Sequence, residues 1–353
     1  MSSPHTSGAV LLAGLLLLPG GLAAQTVERY ELAGDHVAVF NLAGSATVEA
    51  GTGSAVVVEV RRQGRDAGRL EIQQGPIGQG QTLRVVYPDA DVQFHENGWS
   101  GRTQLRVNPD GTFGGWSDRR DGSRRVTITS DGGGTEAHAD LRILVPRGQE
   151  INVYLGVGPI SAANVTADLR LDGSSGRVTT TGTTGMLVVD VGSGAVQVTR
   201  HTGDGSIDTG SGSVEITEAR GDELSIDTGS GGVRLAGVTA RRLNIDTGSG
   251  NVNGSGVQAD ALMVDTGSGD VEIALTTATR DIEVDTGSGD VTITVPDGLD
   301  AEVTLETSSG SIEVDFAIQI QRWERDEVRG VIGNGSGRIH IDTGSGDITI
   351  RKQ

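Results

Sequence analysis

The octapeptide VDTGSGDV at residues 264–271 is repeated without change at residues 284–291, and the shorter IDTGSG begins at four isoleucines: Ile207, Ile226, Ile245 and Ile341. When the sequence is aligned on the Asp of this motif, equivalent positions recur every 18–21 residues from residue 154 to residue 306. A last copy follows 36 residues later, at Asp342. A short fixed period of this kind is typical of solenoids, in which each repeat forms one coil of a wound chain.

Apolar and polar side chains alternate on both sides of the motif. In the copy around Asp265, Leu262 and Val264 precede the Asp, and Val271 and Ile273 follow the Gly-Ser-Gly. A period of two is typical of a short strand with one buried face. The Gly-Ser-Gly between the two strands is suited to a corner, since glycine adopts positive φ angles without strain. The pattern predicts an all-β parallel β-solenoid, or β-helix, with about 18–21 residues per coil and two short strands per coil. Each strand is expected to pair with its counterpart in the next coil.

The remaining sequence divides around these repeats. Residues 1–24 hold a short apolar run followed by small residues, as in a signal peptide, and the run is too short to cross a bilayer comfortably. Residues 25–150 are rich in strand-like segments but irregular, and are expected to cap the solenoid. Residues 151–353 contain the repeats, with an insertion at 316–330 that is expected to cover the C-terminal coils. A polar, glycine-rich loop at 89–125 interrupts the cap.

Charge and composition limit the classes of partner. The net charge is −19, and residues 151–353 carry 30 acidic against 14 basic side chains, a balance of −16. Such a surface repels phosphate backbones, so a nucleic acid is not expected as a partner. The absence of cysteine excludes disulfides and thiolate chemistry. The signal peptide predicts export to the periplasm, the outer surface or the medium, and no transmembrane span is expected after its removal.

The repeated Asp-Thr-Gly resembles the active-site loop of aspartic proteases. Such a protease needs two of these loops facing each other across a cleft, whereas this chain repeats the motif on successive short coils. We therefore interpret the aspartates as a structural turn column, in which each carboxylate accepts hydrogen bonds from nearby backbone N–H groups. These donors would offset a repulsion of about 0.8 kcal/mol between neighbouring carboxylates. The column consists of Asp208, Asp227, Asp246, Asp265, Asp285 and Asp342.

Calcium is an alternative occupant of this corner. In three of the later coils a second acid lies five residues beyond the first, and paired carboxylates around a glycine corner suit Ca²⁺. The candidate ligands are Asp265, Asp270, Asp285, Asp290, Asp342 and Asp347. Against this alternative, the nine-residue step and the Gly-Gly-x-Gly-x-Asp order of calcium-binding solenoids are absent.

The loop at 89–125 contains Phe94, Trp99, Phe113 and Trp116. These aromatics either pack back onto the cap or present Trp99 and Trp116 as a surface that binds a sugar or another partner. No His-Glu-x-x-His, Gly-x-Ser-x-Gly or phosphate-loop motif occurs in the sequence, so no catalytic residue or cofactor is predicted.

Five segments carry a resemblance to a known family. They are VAVFNLAG (37–44), VPRG (145–148), DTGSGDV (265–271), VPDG (295–298) and the C-terminal IGNGSGRIHIDTGSGDITI (332–350). Over nearly the whole mature chain the sequence resembles the uncharacterised bacterial "putative adhesin" domain family. The resemblance implies an exported β-solenoid and no particular activity.

Two functional hypotheses follow. The first is a non-enzymatic scaffold at the cell surface or in the periplasm that binds an unknown protein or glycan. The second is a carbohydrate-active or calcium-binding β-helix protein.

Overall fold

The structure is a computed structural model that describes residues 27–95, 99–116 and 121–353. The predicted signal peptide, residues 1–24, lies outside these ranges. The N-terminal strands are β1 (Val27–Leu32), β2 (His36–Ala43), β3 (Ala46–Ala50), β4 (Val56–Gln63), β5 (Glu71–Ile77), β6 (Gly80–Val86), β7 (Asp91–Gln93), β8 (Arg102–Val107), β9 (Arg124–Thr129), β10 (Thr135–Glu136) and β11 (His138–Val145). Two 3₁₀ turns, η1 (Ala67–Arg69) and η2 (Gly114–Trp116), lie among them.

The repeat region continues the all-β architecture. Its strands are β12 (Glu150–Val157), β13 (Ile160–Ala163), β14 (Asp168–Ser175), β15 (Val178–Thr181), β16 (Leu187–Ser193), β17 (Val196–Thr199), β18 (Gly205–Thr209), β19 (Val214–Thr217), β20 (Arg220–Thr228), β21 (Val233–Ala236), β22 (Thr239–Thr247), β23 (Val252–Thr266), β24 (Val271–Leu275), β25 (Asp281–Thr286), β26 (Val291–Val295), β27 (Ala301–Thr307), β28 (Ile312–Val314), β29 (Gln319–Trp323), β30 (Glu327–Ile332), β31 (Gly337–Thr343) and β32 (Ile348–Lys352). No helix in the described ranges is long and apolar enough to span a bilayer.

Each coil contributes one strand to each of two long parallel sheets. The strands that follow the Gly-Ser-Gly corner, such as β19 and β21, form sheet A, and the strands that precede it, such as β20 and β22, form sheet B. Equivalent residues stack in register, with Ile226 opposite Ile245 and Asp227 opposite Asp246. The prediction of a parallel β-solenoid is confirmed.

The core lies between the two sheets. In the coil around Asp246, Leu243, Ile245 and Val252 are at most 2 % exposed. Each such side chain contributes about 1.5–3 kcal/mol on burial. Because the aliphatic pattern repeats in every coil, the core is continuous along the rod.

The order of the coils along the rod departs from the order of the sequence at both ends. The coil formed by β2 and β3 lies between β6 and β11 on one side and the coil of β12 and β13 on the other. At the opposite end, β31 lies between β25 and β27, and β32 lies between β26 and β28. Residues 337–352 therefore form a coil that is inserted between residues 281–295 and residues 301–314. The expectation that each coil pairs with the next in sequence is wrong here.

Glycine at the corner is required by close approach of successive coils. A Cβ atom on Gly231 would lie 1.9 Å from the carbonyl oxygen of Gly212 in the preceding coil, although Gly231 does not have a positive φ angle. Down the stack, each glycine of one column would place a Cβ 1.7–2.3 Å from a backbone oxygen of its neighbour. In spatial order the column is Gly44, Gly158, Gly176, Gly194, Gly212, Gly231, Gly250, Gly269, Gly289, Gly346 and Gly310. The sequence-based reason, a positive φ angle, is wrong for the middle coils.

Additional strands cover the ends of the rod. A four-stranded sheet C, in the order β10-β7-β9-β8, lies over the outer face of sheet B at β12 and β14. The contact is close, since a Cβ on Gly156 would lie 2.7 Å from Cδ1 of Leu105. At the other end, the hairpin of β29 and β30 pairs antiparallel with β27 and extends sheet B beyond the last coil.

The glycine column leads to a stability prediction. Gly231→Ala would push a methyl group into the carbonyl of Gly212, so we expect the free energy of unfolding to fall by about 1–3 kcal/mol or more. Urea unfolding followed by circular dichroism measures this loss. Ser230→Ala, at an exposed position of the same corner, should change it by no more than about 0.5 kcal/mol. Equal effects of the two substitutions would contradict the close-approach explanation.

Candidate functional site

The motif aspartates form one continuous row on the outer face of sheet B. The backbone register places Asp208 opposite Asp227, Asp246 opposite Asp265, and Asp342 between Asp285 and Glu306. In spatial order the row, which we call the acid row, is Asp172, Asp190, Asp208, Asp227, Asp246, Asp265, Asp285, Asp342 and Glu306. Successive members are one coil apart, about 4.8 Å. The structure thus brings together all six aspartates of the sequence-derived column.

Threonine, and not aspartate, fastens each corner. The Thr that follows each motif Asp points inward, and Oγ1 of Thr247 donates a hydrogen bond to the carbonyl of Gly231 in the preceding coil (3.1 Å). The same bond recurs at 3.0–3.5 Å for Thr209, Thr228, Thr247, Thr266, Thr286, Thr307 and Thr343. Within the described ranges no backbone N–H donates to the carboxylates of Asp208, Asp227 or Asp246. The turn-fastening role expected of the aspartates is therefore carried by their neighbours.

The second acids form a separate ladder. The carboxylate of Asp270 accepts the backbone N–H of Asp290 (3.1 Å), and the carboxylate of Asp290 accepts that of Asp347 (2.8 Å). Asn251 begins this ladder below Asp270. At its end Asp347 accepts both the backbone N–H and the hydroxyl of Ser311, and the first of these bonds is the main reason that its pKa is lowered.

This arrangement bears on the calcium alternative. In each of the three pairs, the first acid faces outward from sheet B and the second is engaged by a backbone N–H of the neighbouring coil. Among the residues that the structure describes, no group of three or more acidic, histidine or cysteine side chains is arranged to hold a metal ion. Calcium coordination by Asp265, Asp270, Asp285, Asp290, Asp342 and Asp347 therefore gains no support from the geometry.

At the N-terminal end of the rod, aromatic side chains occupy the positions on sheet B that are equivalent to those of the acid row. Tyr154 occupies the position that precedes Asp172, and its ring stacks on Phe40 with 4.7 Å between centroids and 4° between planes. Phe113 meets both rings edge-on, at 5.8 Å from Phe40 and 6.3 Å from Tyr154. Sheet B is thus apolar on its outer face where the loop covers it, and acidic where it emerges into solvent.

Trp99 also contacts the body of the protein. Its indole N–H donates to the hydroxyl of Ser175 (3.0 Å), and its ring lies 6.1 Å from the buried ring of Phe94. These contacts favour the packing interpretation for Trp99 over an exposed sugar platform. The side chain of Trp116 lies outside what the structure describes.

Asp172 is the member of the acid row most removed from water. The turn η2 passes over it, so that a Cβ on Gly114 would lie 3.3 Å from its Oδ2. Burial, followed by the charge of Asp190, raises the pKa of Asp172 to about 6, against a smaller opposing effect of Arg170. Burial and neighbouring acids also raise the pKa values of Asp208, Asp265 and Asp342. Among the described residues, two members of the row have ion-pair partners: Asp190 with Arg170 (3.7 Å) and Glu306 with Arg329 (2.9 Å). Most of the negative charge of the row is therefore not neutralised.

A cavity of about 360 Å³ lies between the cap and the aromatic loop, lined in part by Tyr87, Arg69 and Arg124. Its two cations are already engaged: Arg69 pairs with Asp89 (2.9 Å), and Arg124 donates to backbone carbonyls of Tyr87 and Pro88. We assign no ligand to this cavity.

The chain is similar to a known protein family and to a solved structure. The model of the family described as Toastrack DUF4097 matches residues 134–351. The chain belongs to the Toastrack DUF4097 family. No curated protein matches the sequence. A solved structure described as a "putative cell adhesion protein" from Clostridium sporogenes aligns with 93 % of this chain and 99 % of its own length, at 11 % identity and a TM-score of 0.23. Similarity at this level establishes neither fold nor function.

In this Toastrack solenoid, substitutions can distinguish the contribution of the inward-facing threonines to stability from that of the acid row. Thr247→Val keeps the shape of the side chain but removes the bond to Gly231, and should lower the free energy of unfolding by about 0.5–1.5 kcal/mol. Asp246→Asn removes one charge from the row and should be neutral or stabilising at pH 7. Chemical unfolding of both variants tests this order. A larger loss of unfolding free energy for Asp246→Asn than for Thr247→Val would contradict this assignment and indicate that the aspartates fasten the corners.

The raised pKa of Asp172 predicts a pH dependence. Because its folded-state pKa (about 6) exceeds the ordinary value of 3.8, its contribution is most favourable below about pH 4 and is lost as the pH rises through about 6. Asp172→Asn should therefore stabilise the protein at pH 8, by up to about 3 kcal/mol, and have little effect at pH 4.

Urea unfolding at these two pH values measures the difference. Asp131→Asn, at an exposed loop position, serves as the control and should show no such dependence. A benefit of Asp172→Asn that is the same at both pH values would contradict the assignment.

Proposed function

We propose that this protein is a non-enzymatic, exported β-solenoid that acts as an adhesin-like binding scaffold at the bacterial cell envelope. Its partner would be a protein or a glycan of the envelope. The proposal combines the signal peptide predicted at residues 1–24 with the extended shape of the described residues.

The observation that carries the proposal is the rod itself. Eleven coils stack within the described residues, from the coil of β2 and β3 to that of β27 and β28, over a length of about 50 Å. Sheet A presents a broad outer face along this length, and sheet B presents one beyond the strands that sheet C covers. Repeat rods of this kind commonly serve as extended binding surfaces, because each coil contacts only its neighbours and the outer side chains can vary without loss of the fold.

The position of the carboxylates supports binding over turnover. A retaining glycosidase also places two carboxyl groups about 5–5.5 Å apart, but on either side of the bond to be cleaved. In the acid row, members such as Asp227 and Asp246 project from neighbouring strands of a single sheet face and are exposed. A carboxylate pair on one flat face does not flank a sugar ring in the way that hydrolysis requires.

Binding without turnover is the expected experimental result. The mature protein, applied to an array of bacterial envelope glycans and to whole-cell envelope fractions, should be retained by at least one of them. The retained glycan should release no new reducing ends over prolonged incubation. Release of reducing ends by the pure protein would contradict a non-enzymatic role, and absence of retention on all surfaces would contradict the scaffold proposal.

A further inference from the structure

The outer face of sheet C carries a cluster of arginines on an otherwise acidic molecule. β8 is the edge strand of this sheet and pairs antiparallel with β9, with Arg102 opposite Thr129, Gln104 opposite Thr127, and Arg106 opposite Arg125. Alternate residues of a strand share a face. The other face turns Val107, Val126 and Ile128 into the core. Arg102, Arg106 and Arg125 are exposed, and we call these three residues the arginine face.

Arg106 and Arg125 form a like-charge pair that has no acidic partner among the described residues. Residues directly opposite on antiparallel strands have Cβ atoms about 4.5–5.5 Å apart, and like charges at such positions are destabilising. Within the described ranges, no acidic side chain forms an ion pair with Arg102, Arg106 or Arg125. Asp91 on β7 is a described acid of the same sheet, and it lies opposite Thr127, on the side of β9 away from the edge strand β8.

A second cross-strand arginine pair in the same chain does have acidic partners. Arg322 on β29 lies opposite Arg329 on β30, and there the chain supplies the missing charge. Arg322 pairs with Glu324 (3.0 Å) and Glu327 (2.9 Å), and Arg329 pairs with Glu306 (2.9 Å) and also with Glu327. Within the part of the chain that the structure describes, acidic side chains thus neutralise one arginine pair and leave the other open to an external anion.

We propose that the arginine face of sheet C binds an acidic polysaccharide, whose carboxylates supply the charge that the chain omits. This inference rests on the proposed binding function and names the chemistry of the partner. Guanidinium groups bind carboxylates through paired hydrogen bonds, which makes arginine well suited to this contact. Release of the counter-ions condensed on a charged polymer would favour the association, as it does for other polyanions.

The neutral side chains of the same face favour a carbohydrate. Gln104, Thr127 and Thr129 lie among the arginines and offer amide and hydroxyl groups for the hydroxyls of a sugar chain. The large exposed apolar side chains that a lipid surface would require lie elsewhere, at Val27, Met186, Met263, Ile320 and Trp323. Because β8 is an edge strand, an extended polymer can lie along it.

Calorimetric titration with polygalacturonate tests the inference on the intact protein. We expect binding at about 50 mM salt that weakens steeply towards 200 mM, and none to neutral dextran. Arg106→Gln combined with Arg125→Gln should weaken binding at least tenfold. Because the substitutions relieve a like-charge contact, the melting temperature of the double variant should be unchanged or higher than that of the wild type. This measurement serves as the control that the variant is folded.

A matched double variant controls for the overall loss of charge. Arg234→Gln combined with Arg351→Gln removes two exposed arginines from the outer face of sheet A and should leave the affinity unchanged. Equal weakening by the two double variants, or no binding of polygalacturonate by the wild type at low salt, would overturn the inference. Self-association that depends on Arg106 and Arg125 without polymer would also overturn it and identify a second copy as the occupant. If polygalacturonate is not bound but another envelope component retains the protein, this result contradicts the acidic polysaccharide as the partner and still supports the proposed scaffold function.

Discussion

The rod depends on the approach of one backbone to the next at the Gly-Ser-Gly corner. Each coil turns there with a glycine pressed against the carbonyl oxygen of the glycine in the coil before it, and no space remains for a side chain. This contact sets both the pitch and the register of the stack. Once successive corners are superimposed, the residues on either side fall opposite their counterparts, and parallel pairing follows in both sheets.

The corner also separates two adjacent residues into different environments. In Asp246-Thr247, the threonine faces inward and holds the preceding coil, while the aspartate faces outward. The acid row is therefore a result of the repeat period combined with strand alternation. It places like charges one coil apart. Burial, with a further contribution from neighbouring acids, raises the pKa values of Asp208, Asp265 and Asp342 in this row.

The period and the alternation of side chains were sufficient to predict the coil, its two strands and the alignment of the aspartates. They could not predict which polar side chain fastens the corner, because Asp and Thr both form turn hydrogen bonds and only the direction of each side chain distinguishes them. The insertion of residues 337–352 was also hidden, since their motif matches that of every other coil and pairs equally well with either neighbour. The packing of Trp99 could not be predicted either, because its indole N–H donates to Ser175, which is 76 residues away in the sequence. The open arginine pair depended on β8 and β9 being antiparallel neighbours, which sequence spacing does not reveal.

The inserted coil has a mechanical consequence. A coil at the free end of a simple solenoid can peel away by breaking one ladder of hydrogen bonds in each sheet. The coil of residues 337–352 is bonded on both sides in both sheets, to β25 and β27 and to β26 and β28. Tension transmitted through these residues must therefore rupture twice as many ladders before the chain yields. The coil of β2 and β3 is held in the same way, so a pull applied through either coil meets the same doubled resistance.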